Sequence, residues 1–180
     1  MTYYGARELA ESFRTVRKNT VAVAEDIPEE KYSFKAAEGV RSVGQMLAHI
    51  ALAPRFQFWL HGEKRMSLEG FNFPAFMQEM TADVEKPRTK AEVIALLKTE
   101  GEKWGDFVAG LSDDFLGQTI TMPPGGTPPS RTRFDMILGA KEHEMHHRAQ
   151  LMLIERIIGI VPHLTHQQQE RIARMQQQQR

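Results

Sequence analysis

Apolar residues recur at steps of three and four along four long runs of this chain, the spacing that gathers side chains on one helix face. The first run spans Ala6 to Ala24 through Leu9, Phe13, Val16, Thr20 and Val23, and Asp26-Ile27-Pro28 ends it. The second opens at Ser42-Val43-Gly44-Gln45, an S-x-x-Q pattern in which hydroxyl and amide satisfy orphan backbone N–H groups reciprocally. Val43, Met46, Leu47, His49, Ile50 and Ala53 form its face, and Pro54 predicts a kink before the helix resumes through Phe56 and Trp59 to Leu60. The third starts at the capping box Thr89-Lys90-Ala91-Glu92 and runs through Leu97, Trp104 and Val108 to Gly110. The fourth starts at Thr132 and passes Met136, Ala140, His147 and Ile154 to Gly159, with Pro162 beyond it. Each stripe must be buried against the others, so the expected fold is all-α, a four-helix bundle.

The connectors are less regular. Residues 28–41 lack a sustained period. Pro74 with Ala75, Phe76, Met77, Met80 and Val84 predicts a short extra helix between the second and third long ones. Met122-Pro123-Pro124-Gly125-Gly126-Thr127-Pro128-Pro129 excludes helix and central strand, so the region 111–130 reads as a loop. The long connectors after the second and third helices leave room for an uncommon topology. From His166 to Arg180 there are seven glutamines and only two sizeable apolar side chains, Ile172 and Met175. The domain is therefore expected over 1–162, with 163–180 a glutamine-rich tail, frayed helix or disordered.

Composition removes several classes of function. With 180 residues the chain can bury a full core, and without a cysteine it has no disulfide, thiolate metal site or cysteine nucleophile. Lys plus Arg and Asp plus Glu both number 23, giving a formal net charge of zero. Residues 131–180 carry eight basic against five acidic side chains, too thin and scattered a surplus to track phosphates, so no nucleic-acid partner is expected. No apolar run reaches the roughly 20 residues of a membrane span. The start Met1-Thr2-Tyr3-Tyr4-Gly5 lacks the basic and apolar regions of a signal peptide, so the expected compartment is the cytoplasm.

The chemistry then falls to the histidines. His143 and His147 are four residues apart on the last helix, about 40° apart around its axis, so both imidazoles can reach one ion. Spacing alone leaves solvated or hydrogen-bonded histidines equally open. His49 lies on the apolar side of the second helix among Met46, Ile50 and Ala53, where an imidazole needs a partner. Three inward imidazoles from two helices form a ligand set for zinc or nickel that leaves coordination positions for water or substrate. His146 is offset and should face elsewhere, and His61, His163 and His166, at or beyond helix ends, read as surface residues. His143-Glu144-Met145-His146-His147 also matches the H-E-x-x-H pattern of zinc peptidases. No third ligand follows in metzincin spacing, and Glu170 in the tail is a poor gluzincin ligand, so the peptidase reading is set aside.

Tyr32-Ser33-Phe34-Lys35, then Arg41-Ser42-Val43-Gly44-Gln45-Met46-Leu47-Ala48-His49-Ile50, then His143-x-x-x-His147-Arg148-x-Gln150 with Gly159 and Pro162, together resemble the DinB/YfiT-like family over residues 5–162. The resemblance implies a four-helix bundle of the DinB/YfiT-like type, often a homodimer, with His49, His143 and His147 as ligands of a divalent metal. Zn or Ni is the expected ion, and Fe or Mn also suit such a set. The resemblance implies a metal-dependent hydrolase or a transferase that uses a low-molecular-weight thiol, the activities assigned to some members of the family, while others have no assigned reaction. A small-molecule substrate is accordingly expected, and a thiol would have to arrive as cosubstrate because the chain has no cysteine. Gln150, one turn past His147, is a candidate to hydrogen-bond a ligand or substrate. Glu144 or Glu142 could position an imidazole or accept a proton, and Arg148 should pair with a carboxylate elsewhere in the bundle. The alternative is a non-catalytic bundle that binds metal or a small ligand, or serves as a dimer scaffold; a fourth protein ligand closing the site would favour it.

Overall fold

The caps expected from the sequence are formed in the computed structural model, which describes residues 4–178. Ser42 Oγ accepts the Gln45 N–H at 3.3 Å while Gln45 Oε1 accepts the Ser42 N–H at 2.9 Å, opening α2 (Val43–Leu52). Thr89 and Glu92 form the same reciprocal pair at the start of α5 (Lys90–Ala109). Thr132 Oγ1 accepts the Asp135 N–H at the start of α7 (Arg133–Ile157), and Gly159, at φ 86°, turns the chain beyond its end. Helix α1 (Ala6–Asp26) completes the set of four long helical runs.

Pro54 has no N–H to give the Ile50 carbonyl, so the second run breaks there. It resumes as α3 (Pro54–Gln57) and widens into a π-helical turn over Phe58–Gly62. The extra helix is α4 (Phe73–Glu85), with Pro74 in its first turn and only Met80 and Val84 buried.

The bundle has an uncommon order. α1 packs on α5 and α7, and α2 packs on the same two helices, so α1 faces α2 across one diagonal and α5 faces α7 across the other. The diagonal crossings are made by the connectors after the first and third long helices. The connector after the second, which carries α4, joins the neighbours α2 and α5.

Residues 111–130 hold more than the expected loop. Ser112 caps the short α6 (Asp113–Gly117), and β1 (Thr119–Thr121) pairs antiparallel with β2 (Ser130–Thr132), Ile120 opposite Arg131. The Pro- and Gly-rich turn joins these strands. Local periodicity could not show strands this short, because their stability comes from neighbours: Ile120 is fully buried, and Thr121 exchanges backbone hydrogen bonds with Met66 and Leu68. The tail forms α8 (His163–Gln178) with no buried side chain, and residues 179 and 180 lie outside the described residues.

Two histidines expected at the surface are not there. His61 is 1% exposed, and its Nδ1 accepts a hydrogen bond from Arg133 Nη1 at 3.0 Å. Arg133 is itself fully buried, donating also to Gln118 Oε1 and the Arg65 carbonyl, with its guanidinium over the Phe115 ring. That knot ties the end of the π-helical turn to the hairpin and α7, so a histidine that looks like a helix stop is enclosed by tertiary packing. His163 is half-buried at the start of α8, donating from Nε2 to Asn19 Oδ1 at 3.4 Å. His166 is exposed.

Candidate metal centre

Two of the apolar clusters of the core are built mainly from the long helices. One holds Phe13, Trp104 and Ile137, and the other holds Val21, Leu97, Ile50 and Leu151. Between them, at intermediate positions on the same helices, lies a polar layer built around Arg17. Its Nε donates to Glu144 Oε1 at 2.9 Å, Nη2 to Glu144 Oε2 at 2.9 Å, Nη1 to the Leu97 carbonyl at 2.7 Å and Nη2 to the Ile50 carbonyl at 3.3 Å. One side chain of α1 therefore bonds to α2, α5 and α7. The Ile50 carbonyl is available because Pro54 cannot donate to it. The approach across α5 is open because Gly101 has no side chain: a Cβ there would stand 2.7 Å from Arg17 Cγ.

Ile50 and Glu144 each adjoin a histidine, so this layer sets where His49 and His143 meet. Their Nε2 atoms are 3.1 Å apart, and His147 Nε2 is 3.2 Å from that of His143. All three side chains are half-buried, and the three ligand nitrogens lie within 4.8 Å of one another. A tetrahedral ion with metal–nitrogen bonds of 2.0–2.1 Å places its nitrogens about 3.3 Å apart, close to the two distances measured from His143. The donor chemistry agrees. Gln150 Oε1 lies 2.9 Å from His147 Nδ1 and accepts a hydrogen bond from its N–H, which leaves the Nε2 lone pair facing the other two rings. His143 Nε2 lies between two nitrogens and can direct a proton at only one, so a cation satisfies this cluster better than protons do.

The imidazoles are held neutral. Burial, followed by the positive charge of Arg41 and then the neighbouring rings, pushes His49 down to about 3. Burial first, then His147, His146 and Arg41, pushes His143 down to about 4. His147 is also lowered, chiefly by burial and against the hydrogen bond to Gln150. Neutral rings are what a metal needs.

Of the other residues singled out in the sequence, Gln150 touches a candidate ligand and Glu144 does not. Glu144 is 2% exposed, with its carboxylate committed to Arg17, so the H-E-x-x-H pattern does not aim a carboxylate at the imidazoles. Glu142 is exposed. Arg148 donates to the Val16 carbonyl instead of a carboxylate. His146 faces outward, and its Nε2 meets the Gln150 amide at 3.2 Å. Among the described residues no Asp, Glu or fourth His joins the three. Sequence reasoning missed Arg17, although a charged residue between Phe13 and Val21 on an apolar stripe was a visible sign of a buried pair.

A cavity of about 530 Å³ opens beside the centre, and its lining includes His49 and His143 as well as Phe56, Phe76, Met77 and Met80. The arrangement is a four-helix bundle with a three-histidine centre, open on one side to a mostly apolar cavity. Residues 12–151 match the model of the DinB superfamily, and the chain belongs to that family. A DinB-like protein from Bacillus subtilis, YjoA, is 23% identical, with a TM-score of 0.63 over 84% of this chain and 92% of the other. YfiT from Bacillus subtilis, described as a probable metal-dependent hydrolase with an unusual four-helix bundle topology, is 15% identical, with a TM-score of 0.67 over 89% and 91%. An uncharacterized protein from Clostridium difficile 630 is 14% identical, with a TM-score of 0.67 over 88% and 99%. No curated protein matches. Among the described residues no helix is long and apolar enough to cross a membrane.

Proposed function

We propose that this protein is a metal-dependent enzyme acting on a small molecule, with His49, His143 and His147 holding one divalent ion, Zn or Ni, and a reaction of the hydrolase or low-molecular-weight-thiol S-transferase type. The observation that carries the reading is the convergence of three neutral imidazole nitrogens, 3.1 and 3.2 Å apart, beside a cavity that His49 and His143 line. The description of YfiT as a probable metal-dependent hydrolase supports it. With three uncharged ligands the ion would keep its full charge, which lowers the pKa of bound water or stabilises a thiolate brought by a cosubstrate.

The chain's own residues have distinct parts in this scheme. Gln150 fixes the tautomer of His147, and the Arg17–Glu144 pair fixes the relative height of α2 and α7, hence of His49 and His143. With Glu144 engaged, no carboxylate among the described residues stands at the imidazoles as a general base. The absence of a fourth ligand from the described cluster favours an open, reactive centre over a closed structural one.

The test is metal content by mass spectrometry on untagged protein prepared without chelator, for wild type and for His49→Ala, His143→Ala and His147→Ala. Near-stoichiometric metal lost in all three variants is expected, and screens for hydrolysis and thiol transfer then follow. A wild type that stays empty after reconstitution with Zn and Ni refutes the proposal and leaves a non-catalytic bundle with a buried polar cluster.

A further inference from the structure

The cavity beside the imidazoles is lined by side chains of two chemical kinds. Those supplied by α4 are mostly apolar: Phe76 and Met77 are half-buried there, and α4 covers little else, since only Met80 and Val84 of that helix are buried. An apolar wall left open to a cavity suits a ligand's apolar body. The lining also includes Arg41, half-buried in the segment leading into α2. Arg41 forms no hydrogen bond or ion pair among the described residues. Its charge nevertheless bears on all three imidazoles and disfavours their protonated forms.

The other charged groups at the cavity do not neutralise it. Arg17 and Glu144 satisfy one another, Lys35 at the rim adds positive charge, and Glu85 is exposed at the C-terminal end of α4.

We infer that the cavity binds an organic acid with an apolar body, its carboxylate on Arg41 and its ring or chain on Phe56, Phe76, Met77 and Met80, in the same cavity that His49 and His143 line. This assigns a substrate class to the proposed metal centre and rests on that reading for its catalytic meaning. The binding itself does not depend on a metal. A half-buried guanidinium offers a carboxylate two parallel N–H donors, and it discriminates against a neutral analogue that can accept only one bond.

The probes are 4-phenylbutyrate and its uncharged analogue 4-phenyl-1-butanol, titrated by NMR chemical shift into the full chain, both metal-free and zinc-loaded. In the metal-free protein the acid is expected to bind at least about tenfold more tightly than the alcohol, the scale of one charge-assisted hydrogen bond. Arg41→Gln should bring the acid down to the level of the alcohol, Arg41→Lys should keep part of the preference, and Met77→Glu should weaken both probes. Equal binding of acid and alcohol overturns the inference, as does binding of neither, or a preference that survives Arg41→Gln. The comparison between probes needs no variant, so a misfolded variant cannot rescue the idea. Because the decisive titrations are made without metal, an empty wild type in the metal analysis would refute the centre while leaving these results to stand or fall alone.

Discussion

Glu155 allows a sharp test of the packing, because it is a fully buried carboxyl whose two oxygens find no hydrogen-bond partner. Burial first, then the nearby charge of Asp26, pushes its pKa up from 4.5 to about 7, against a smaller opposing effect of Arg156. The folded protein therefore holds this proton more tightly than the unfolded chain does. The stabilisation is fully present below pH 4.5 and is lost as the pH rises through about 7. A shift of that size corresponds to about 3 kcal/mol, of which roughly 2 to 3 kcal/mol falls between pH 5 and pH 8. Glu155→Gln removes the titration. A buried amide has its own cost, but that cost is the same at both pH values and cancels in the difference. Urea unfolding at pH 5 and pH 8 should show wild type losing about 2 to 3 kcal/mol more than the variant across the interval. Histidine titration at the metal centre is common to both proteins and cancels as well. Equal pH dependence in the two would refute the reasoning and mean that Glu155 is ionised and solvated in the folded state.

The polar layer and the metal centre give three further expectations. Arg17→Met or Glu144→Gln alone should destabilise the protein by about 3 to 5 kcal/mol in denaturant unfolding, because each strands a buried charge or its donors; the double variant should recover part of that loss. Gly101→Ala should cost about 1 to 2 kcal/mol although alanine is the better helix former by about 1 kcal/mol, since its Cβ collides with an Arg17 stem held at both ends; a more stable variant would show that Arg17 is free to move aside. Gln150→Leu should keep the fold and weaken metal affinity about 10- to 100-fold in competition with a chelator, through loss of the acceptor on His147 Nδ1.

The long helices were legible because their signals are local: a reciprocal cap at Ser42 and Gln45, another at Thr89 and Glu92, and apolar steps of three and four between them. The three histidines were legible for a related reason, since two share a helix face and the third sits on an apolar stripe. What the sequence hid was set by partners far along the chain. Glu144 lies inside a recognisable metal motif, yet its fate is decided by Arg17, 127 residues away. His61 looks like a helix stop, and it is enclosed because Arg133, 72 residues on, brings the hairpin over it. The strands β1 and β2 are three residues long and depend on the segment at Met66–Leu68, so no period could reveal them.

The Arg17 knot also has a consequence for descent. Its geometry needs a proline at 54 to release one carbonyl, a glycine at 101 to clear the path, a carboxylate at 144 and the guanidinium at 17, each supplied by a different helix. Replacing any one leaves the other three worse than neutral: a gap without a filler, a charge without its counter-charge, or a side chain without space. A lineage could therefore abandon this arrangement only by passing through a weakened intermediate or by changing several positions together. Among relatives, positions 17, 54, 101 and 144 are expected to be inherited as a block, and where one has been exchanged the others should have been exchanged with it.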